Sequence, residues 1–176
     1  FEVVKGDDWF GKTKFSTGGS YGAVMGVSDI ERSIKFYGDI LGFDKIIYDK
    51  EDNFSDTAVL DGGNVRSRRV LLAQSEDRRG PFSKLLGNGT IELVKVYDRI
   101  PNKIFKDRFW GDLGFIHLCF DIQGMDKMKT LCESIGHPFT VDSGNHFDMG
   151  EAAGHFSYIE DPDGALIEFV ETHKVP

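Results

Sequence analysis

Cysteine is scarce in this chain. Cys119 and Cys132 are the only two, so no disulfide framework is indicated. One lies on an apolar strand and one on a predicted helix face, where an unpaired cysteine usually packs as a small hydrophobe. Positive charge is also in deficit: 21 Lys and Arg stand against 29 Asp and Glu, a net charge of -8. That balance argues against a nucleic-acid footprint, because neutralising phosphates takes a basic face. No run approaches the roughly 18 apolar residues of a membrane span. The N-terminus lacks the basic-then-apolar order of a secretion signal, and a cytoplasmic protein is expected. The chain opens with Phe1 rather than Met and stops after Lys174-Val175-Pro176, which fits a trimmed chain or one part of a longer protein, so the missing targeting segment weighs little.

What is present is an ordinary globular composition, 40% apolar, in a length that suits one compact domain or two small modules sharing a core. The 15 phenylalanines fill cores and need not signal an aromatic substrate. Basic residues cluster only at Arg66, Arg68 and Arg69 and at Arg78-Arg79. They read as a solvated strand face and a solvated loop, with a site for an anionic substrate as the sharper alternative.

One pattern occurs twice: a short apolar strand, an amphipathic helix, more strands, and a last strand carrying a glutamate among apolar neighbours. The first copy starts at Gly22-Ala23-Val24-Met25-Gly26-Val27 and ends at Thr90-Ile91-Glu92-Leu93-Val94; the second starts at Phe115-Ile116-His117-Leu118-Cys119-Phe120 and ends at Leu166-Ile167-Glu168-Phe169-Val170. In the first copy Ser28 and Glu31 form a capping box. Ile30, Ile34, Tyr37 and Leu41 recur at helical spacing, and Gly42 supplies the stop. Strand character follows over 44–48 and 65–73, separated by the turn Gly62-Gly63-Asn64. In the second copy Met125, Met128, Cys132 and Ile135 mark a helix face closed by Gly136 and Pro138. A loop is expected over 145–154, then a hairpin of 155–159 and 165–171 around Asp161-Pro162-Asp163-Gly164. His117 and Glu168 are 51 residues apart and Gly22 and Glu92 are 70. The 19 extra residues fit polar connections over 51–61 and 76–88, since surface insertions cost little stability. The expected organisation is a lead-in over 1–20, a first module over 21–97, a linker over 98–112 and a second module over 113–173, in one structural domain.

A carboxylate in an apolar strand run is mostly buried and then needs a cation, a basic residue or access to water. A divalent metal explains Glu92, Glu168 and His117 together, since two carboxylates and an imidazole make an open site. Against it stand two plain alternatives: glutamates solvated at strand ends, and a histidine satisfied within the core. His146 and His155 are expected to be exposed on a loop and a strand edge.

Val27-Ser28-Asp29-Ile30-Glu31-Arg32-Ser33-Ile34-Lys35-Phe36-Tyr37 with Leu41-Gly42-Phe43 resembles the opening of the vicinal oxygen chelate superfamily, which includes glyoxalase I, extradiol dioxygenases, epimerases and the bleomycin- and fosfomycin-resistance proteins. Phe115 to Phe120 and Asp161 to Phe169 resemble the opening and closing strands of its second module. The resemblance implies an α+β fold of two tandem βαβββ modules, whose curved mixed sheet surrounds a shared cleft with ligands from the first and last strand of each. It implies Glu92, His117 and Glu168 as ligands of a divalent ion (Zn, Ni, Mn or Fe), with Gly22 where a fourth would stand, and a set completed by waters, by His155 or His146, or by another chain. It further implies Glu168 as a proton shuttle in an isomerase or lyase, acting on a small substrate with vicinal oxygens through metal-stabilised enediolate-type chemistry, and a homodimer. A non-catalytic module that binds or sequesters a small molecule and a ring-cleaving dioxygenase remain alternatives.

Overall fold

The computed structural model describes residues 21–77, 79, 89–148, 150 and 153–174. The lead-in over 1–20, Arg78, most of the 76–88 connection, parts of the 145–154 loop and the side chain of His146 lie outside the described residues. The chain divides after Ile100 into two units, and each is a βαβββ module, so that the fold is α+β with two tandem modules. No helix among the described residues is long and apolar enough to cross a membrane.

In the first unit β1 (Gly22–Gly26) leads into α1 (Ile30–Leu41), followed by β2 (Lys45–Asp52), β3 (Ser67–Ala73) and β4 (Thr90–Val96). The sheet order is β1-β4-β3-β2, with β1 parallel to β4 and the other neighbours antiparallel. The helix begins one residue later than the capping box implies. Asp29 is the cap and accepts from the Arg32 amide at 2.9 Å, while Ser28 accepts from the Arg32 guanidinium. Gly42 ends the helix in the left-handed region, φ 71°, a conformation that costs a residue without a Cβ nothing. The buried face of α1 is Ile30, Ser33, Phe36, Tyr37, Ile40 and Leu41. It lies over the sheet face that carries Val70, Leu72, Ile91 and Leu93, all fully buried. Burying each such side chain contributes about 1.5–3 kcal/mol.

In the second unit β5 (His117–Asp121) leads into α2 (Met125–Ser134), followed by the short β6 (Val141–Asp142) and β7 (Phe147–Asp148), then β8 (Ala153–Glu160) and β9 (Leu166–Lys174). The order is β5-β9-β8-β6, with β7 also on β8, and again the first strand runs parallel to the last. Met125 and Cys132 of α2 are buried, but Ile135, expected on the core face, is partly exposed. The β8–β9 turn is held by the buried Asp161 carboxylate, which accepts from the amides of Asp163 and Ala165 at 2.9 and 2.7 Å.

The two registers coincide. Glu92 is paired across the parallel strands with Val24, and Glu168 with Cys119; two residues earlier Thr90 is paired with Gly22, and Leu166 with His117. Gly22 and His117 therefore occupy the same place in the two modules.

Candidate functional site

Alternation along a strand sends successive side chains to opposite faces. On β9, Ile167 and Phe169 face the helix and are fully buried, so Glu168 faces the other way. Tyr158 on β8 lies directly across from it, and its hydroxyl donates to Glu168 Oε1 at 2.7 Å. His117 Nε2 stands 3.0 Å from Glu168 Oε2. His117 Nδ1 is buried with no hydrogen-bond partner among the described residues. The indole of Trp110, in the segment leading into β5, packs 5.9 Å from the His117 ring and 6.0 Å from the Tyr158 ring, which are themselves 5.5 Å apart. Burial, and then the Glu168 carboxylate that accepts its proton, raise Tyr158 well above the usual phenol range; it donates throughout the neutral range.

Cys119, expected within the core, lies instead on the exposed side of β5. Lost hydration, and next its hydrogen bond to Glu168, push the thiol up to about 12. Because the residue keeps much of its surface open, the carboxylate is the sturdier of the two causes. Either way the thiol stays protonated, and it is no nucleophile at neutral pH.

In the first unit Glu92 takes the corresponding place and meets different company. It is 5% exposed, and Arg69, 6% exposed, grips it with one edge of the guanidinium: Nε to Oε1 at 2.7 Å and Nη2 to Oε2 at 2.8 Å. The Tyr48 hydroxyl also donates to Glu92 Oε1. The remaining guanidinium nitrogen of Arg69 donates to Asp56, and the ring of Phe54 lies 4.9 Å from its centre. Arg69 is thus no part of a solvated strand face. Arg68, the preceding residue on β3, points to the other side and pairs with Asp49 and Glu31. A side chain at Gly22 meets an obstacle as well, because a Cβ there would stand 2.3 Å from the carbonyl oxygen of Thr90.

His155 is buried rather than exposed on an edge. Its Nε2 lies 2.6 Å from Asp142 Oδ1. The amide of Gly144, then Lys129 and His155, hold the Asp142 carboxyl well below the usual range. A pocket of about 500 Å³ borders His155, Glu171, His173 and the start of α2, on the sheet face opposite Glu168. Among the described residues, no three His, Cys, Asp or Glu side chains of either unit gather as a metal-holding group. His117 and Glu168 are brought together as a pair; Glu92 is brought to Arg69. Sequence reasoning missed Arg69, Tyr158 and Trp110. Consecutive Arg68-Arg69 on a strand was a usable signal, since one of two neighbours must face inward.

The model of the Glyoxalase/Bleomycin resistance protein/Dioxygenase superfamily matches residues 22–169. A glyoxalase family protein from Bacillus cereus has a similar structure, with a TM-score of 0.66 at 15% identity over 92% of this chain and 98% of that one. The trypanothione-dependent glyoxalase I of Leishmania major gives 0.54 at 18% identity over 88% and 87%. A fosfomycin resistance protein from Listeria monocytogenes, solved with Mn(II) and sulfate, gives 0.53 at 17% identity over 88% and 93%. A search of curated proteins finds no match to this chain.

Proposed function

Because the chain belongs to the glyoxalase/bleomycin resistance protein/dioxygenase superfamily, we propose that it is a glyoxalase-like isomerase or lyase acting on a small substrate with vicinal oxygens, and that Glu168 is its proton-transferring group. The observation that carries this reading is the convergence of His117, Tyr158 and Glu168 on one sheet face, with His117 Nδ1 unpartnered. Each oxygen of an ionised carboxylate has two acceptor sites. Glu168 therefore keeps an acceptor site after Tyr158, His117 and the Cys119 thiol are served, and can take a proton from a carbon beside a carbonyl. In an α-hydroxy carbonyl compound, returning that proton to the former carbonyl carbon while the hydroxyl proton passes to the former carbonyl oxygen completes an isomerisation; expelling a leaving group from the β-carbon, on the side away from the carbonyl, completes an elimination. Tyr158 keeps the carboxylate oriented during the transfer, and the Trp110 ring packs against His117 and Tyr158 beside it.

The fit to a divalent ion is uneven. His117 Nε2 and Glu168 Oε2 have the separation of adjacent donors around one ion, about 3 Å for ligands at 2.0–2.2 Å, and these two residues would hold it. Bound there, Zn, Ni, Mn or Fe supplies a Lewis acid for the negative charge that develops on the vicinal oxygens. The Mn(II) of the Listeria protein supports such chemistry in a similar fold. Gly22 offers no donor, and both oxygens of Glu92 are taken by Arg69. That observation favours a second reading, a module that binds a small molecule without turnover. We also expect a homodimer, checked by sedimentation.

Solvent-exchange NMR separates the readings. In D2O with Mn(II) or Zn(II), the chain is expected to place deuterium at the carbon beside the carbonyl in at least one of a panel of α-hydroxy carbonyl compounds. Glu168→Gln is expected to slow this by about 10²–10⁴-fold, the share of a general base. Compounds that bind but exchange no deuterium would replace the enzyme reading by the binding one.

A further inference from the structure

We infer that Arg69 is the resident cation of the first unit's carboxylate, standing where the superfamily resemblance sets a metal ion, so that Glu92 is a structural partner and not a metal ligand. The inference rests on the superfamily reading only for where a metal is expected; the pair itself is a matter of geometry.

Three observations carry it. First, Glu92 is engaged and neutralised on both oxygens: while buried it receives two parallel N–H donors from Arg69, one on each oxygen, and the Tyr48 hydroxyl on Oε1. Bidentate charge-assisted bonds of this kind are among the strongest polar contacts a protein makes. An ion seeking this carboxylate must displace them, and would bring a second positive charge against a guanidinium that cannot lose its own. Second, Arg69 has nowhere else to go. Its third nitrogen is held by Asp56 and its centre lies over Phe54, so releasing Glu92 leaves a buried cation half-satisfied. Third, the rest of the half-site has closed on itself, because the carbonyl of Thr90 stands where a side chain at position 22 would begin.

The second unit shows what the absence of arginine permits. Arg69 is opposite Val94, two residues beyond Glu92, and Phe156 is opposite Val170, two residues beyond Glu168. At the place equivalent to Arg69 the second unit therefore carries an apolar ring. Its carboxylate faces His117, an imidazole of the kind that serves as a metal ligand.

The test determines a structure in the presence of Mn(II) and measures Mn(II) binding by calorimetry to the wild-type chain, Glu92→Gln and Glu168→Gln. Glutamine keeps one of the two acceptors Arg69 uses, the fold of Glu92→Gln is checked by circular dichroism, and the wild-type structure with Mn(II) tests the pair without that variant. The expected result is an intact Arg69–Glu92 pair with no ion at Glu92, and an affinity in Glu92→Gln within about twofold of wild type. An ion on Glu92 with Arg69 turned away, or a loss beyond tenfold in Glu92→Gln, overturns the inference. Should the wild-type chain take up no Mn(II) with the pair intact, the inference stands while the metal part of the functional reading falls. Deuterium exchange that persists undiminished in Glu168→Gln, with the Arg69–Glu92 pair intact, would likewise fault the functional reading alone.

Discussion

Glu92 and Glu168 sit at the same register of two sheets built to one plan, and they differ in what neutralises them. Glu92 is closed by a permanent cation and two aromatic neighbours, Tyr48 and Phe54; Glu168 is shared between a phenol and an imidazole, under an indole that solvent still reaches. The burial of a carboxylate poses the same electrostatic problem in both places. One solution commits the group to stability, and the other leaves it available for exchange. The duplication of a frame thus does not duplicate a site.

The comparison breaks most visibly at Arg69. Arg69→Met strands a buried carboxylate and is expected to cost about 3–5 kcal/mol, read from urea denaturation. Arg69→Met with Glu92→Leu together should recover most of that loss, because replacing both partners of a buried ion pair by apolar groups is often neutral or better. A smaller effect is expected at Gly22. Gly22→Ala drives a Cβ into the Thr90 carbonyl and should cost about 1–3 kcal/mol, the usual range for overpacking, seen as a lower Tm. A loss near zero would mean that β1 can withdraw from β4 and that a fourth ligand is sterically admissible. The smallest effect sharpens the contrast by pH. Asp142 in the second unit has its carboxyl lowered by Gly144, Lys129 and His155, so its contribution is complete above the unfolded value of about 4. It fades as pH falls below that towards the folded value. Asp142→Asn should therefore flatten the acid limb of the stability curve below about pH 4 and leave its shape above that unchanged.

Much of the fold was readable from periodicity. The repeat, the α1 face, Gly42 and the Asp161-Pro162-Asp163-Gly164 turn are local signals, each decided within a few residues, and β2 and β9 differ from expectation mainly in length. The candidate residues His117 and Glu168 were readable as types on strands. Their contact was not, because it depends on β5 lying beside β9. Arg69 and Glu92 meet diagonally between strands 23 positions apart, and only the β3–β4 register aligns them. His155 was misjudged for the same reason: its cover is Asp142, from a two-residue strand that carries almost no sequence signal.

The Asp161 turn has a consequence in time. Its side chain and backbone bonds span at most four residues, and the hairpin it closes brings Tyr158 to Glu168 across only ten. Pairing Gly22 with Thr90, by contrast, requires a loop of nearly the whole first unit to close. Contacts of short range form earliest, and an isolated hairpin assembles in about 1–10 μs. The face that carries Glu168 is expected to exist in outline before the rest of the chain has found its partners.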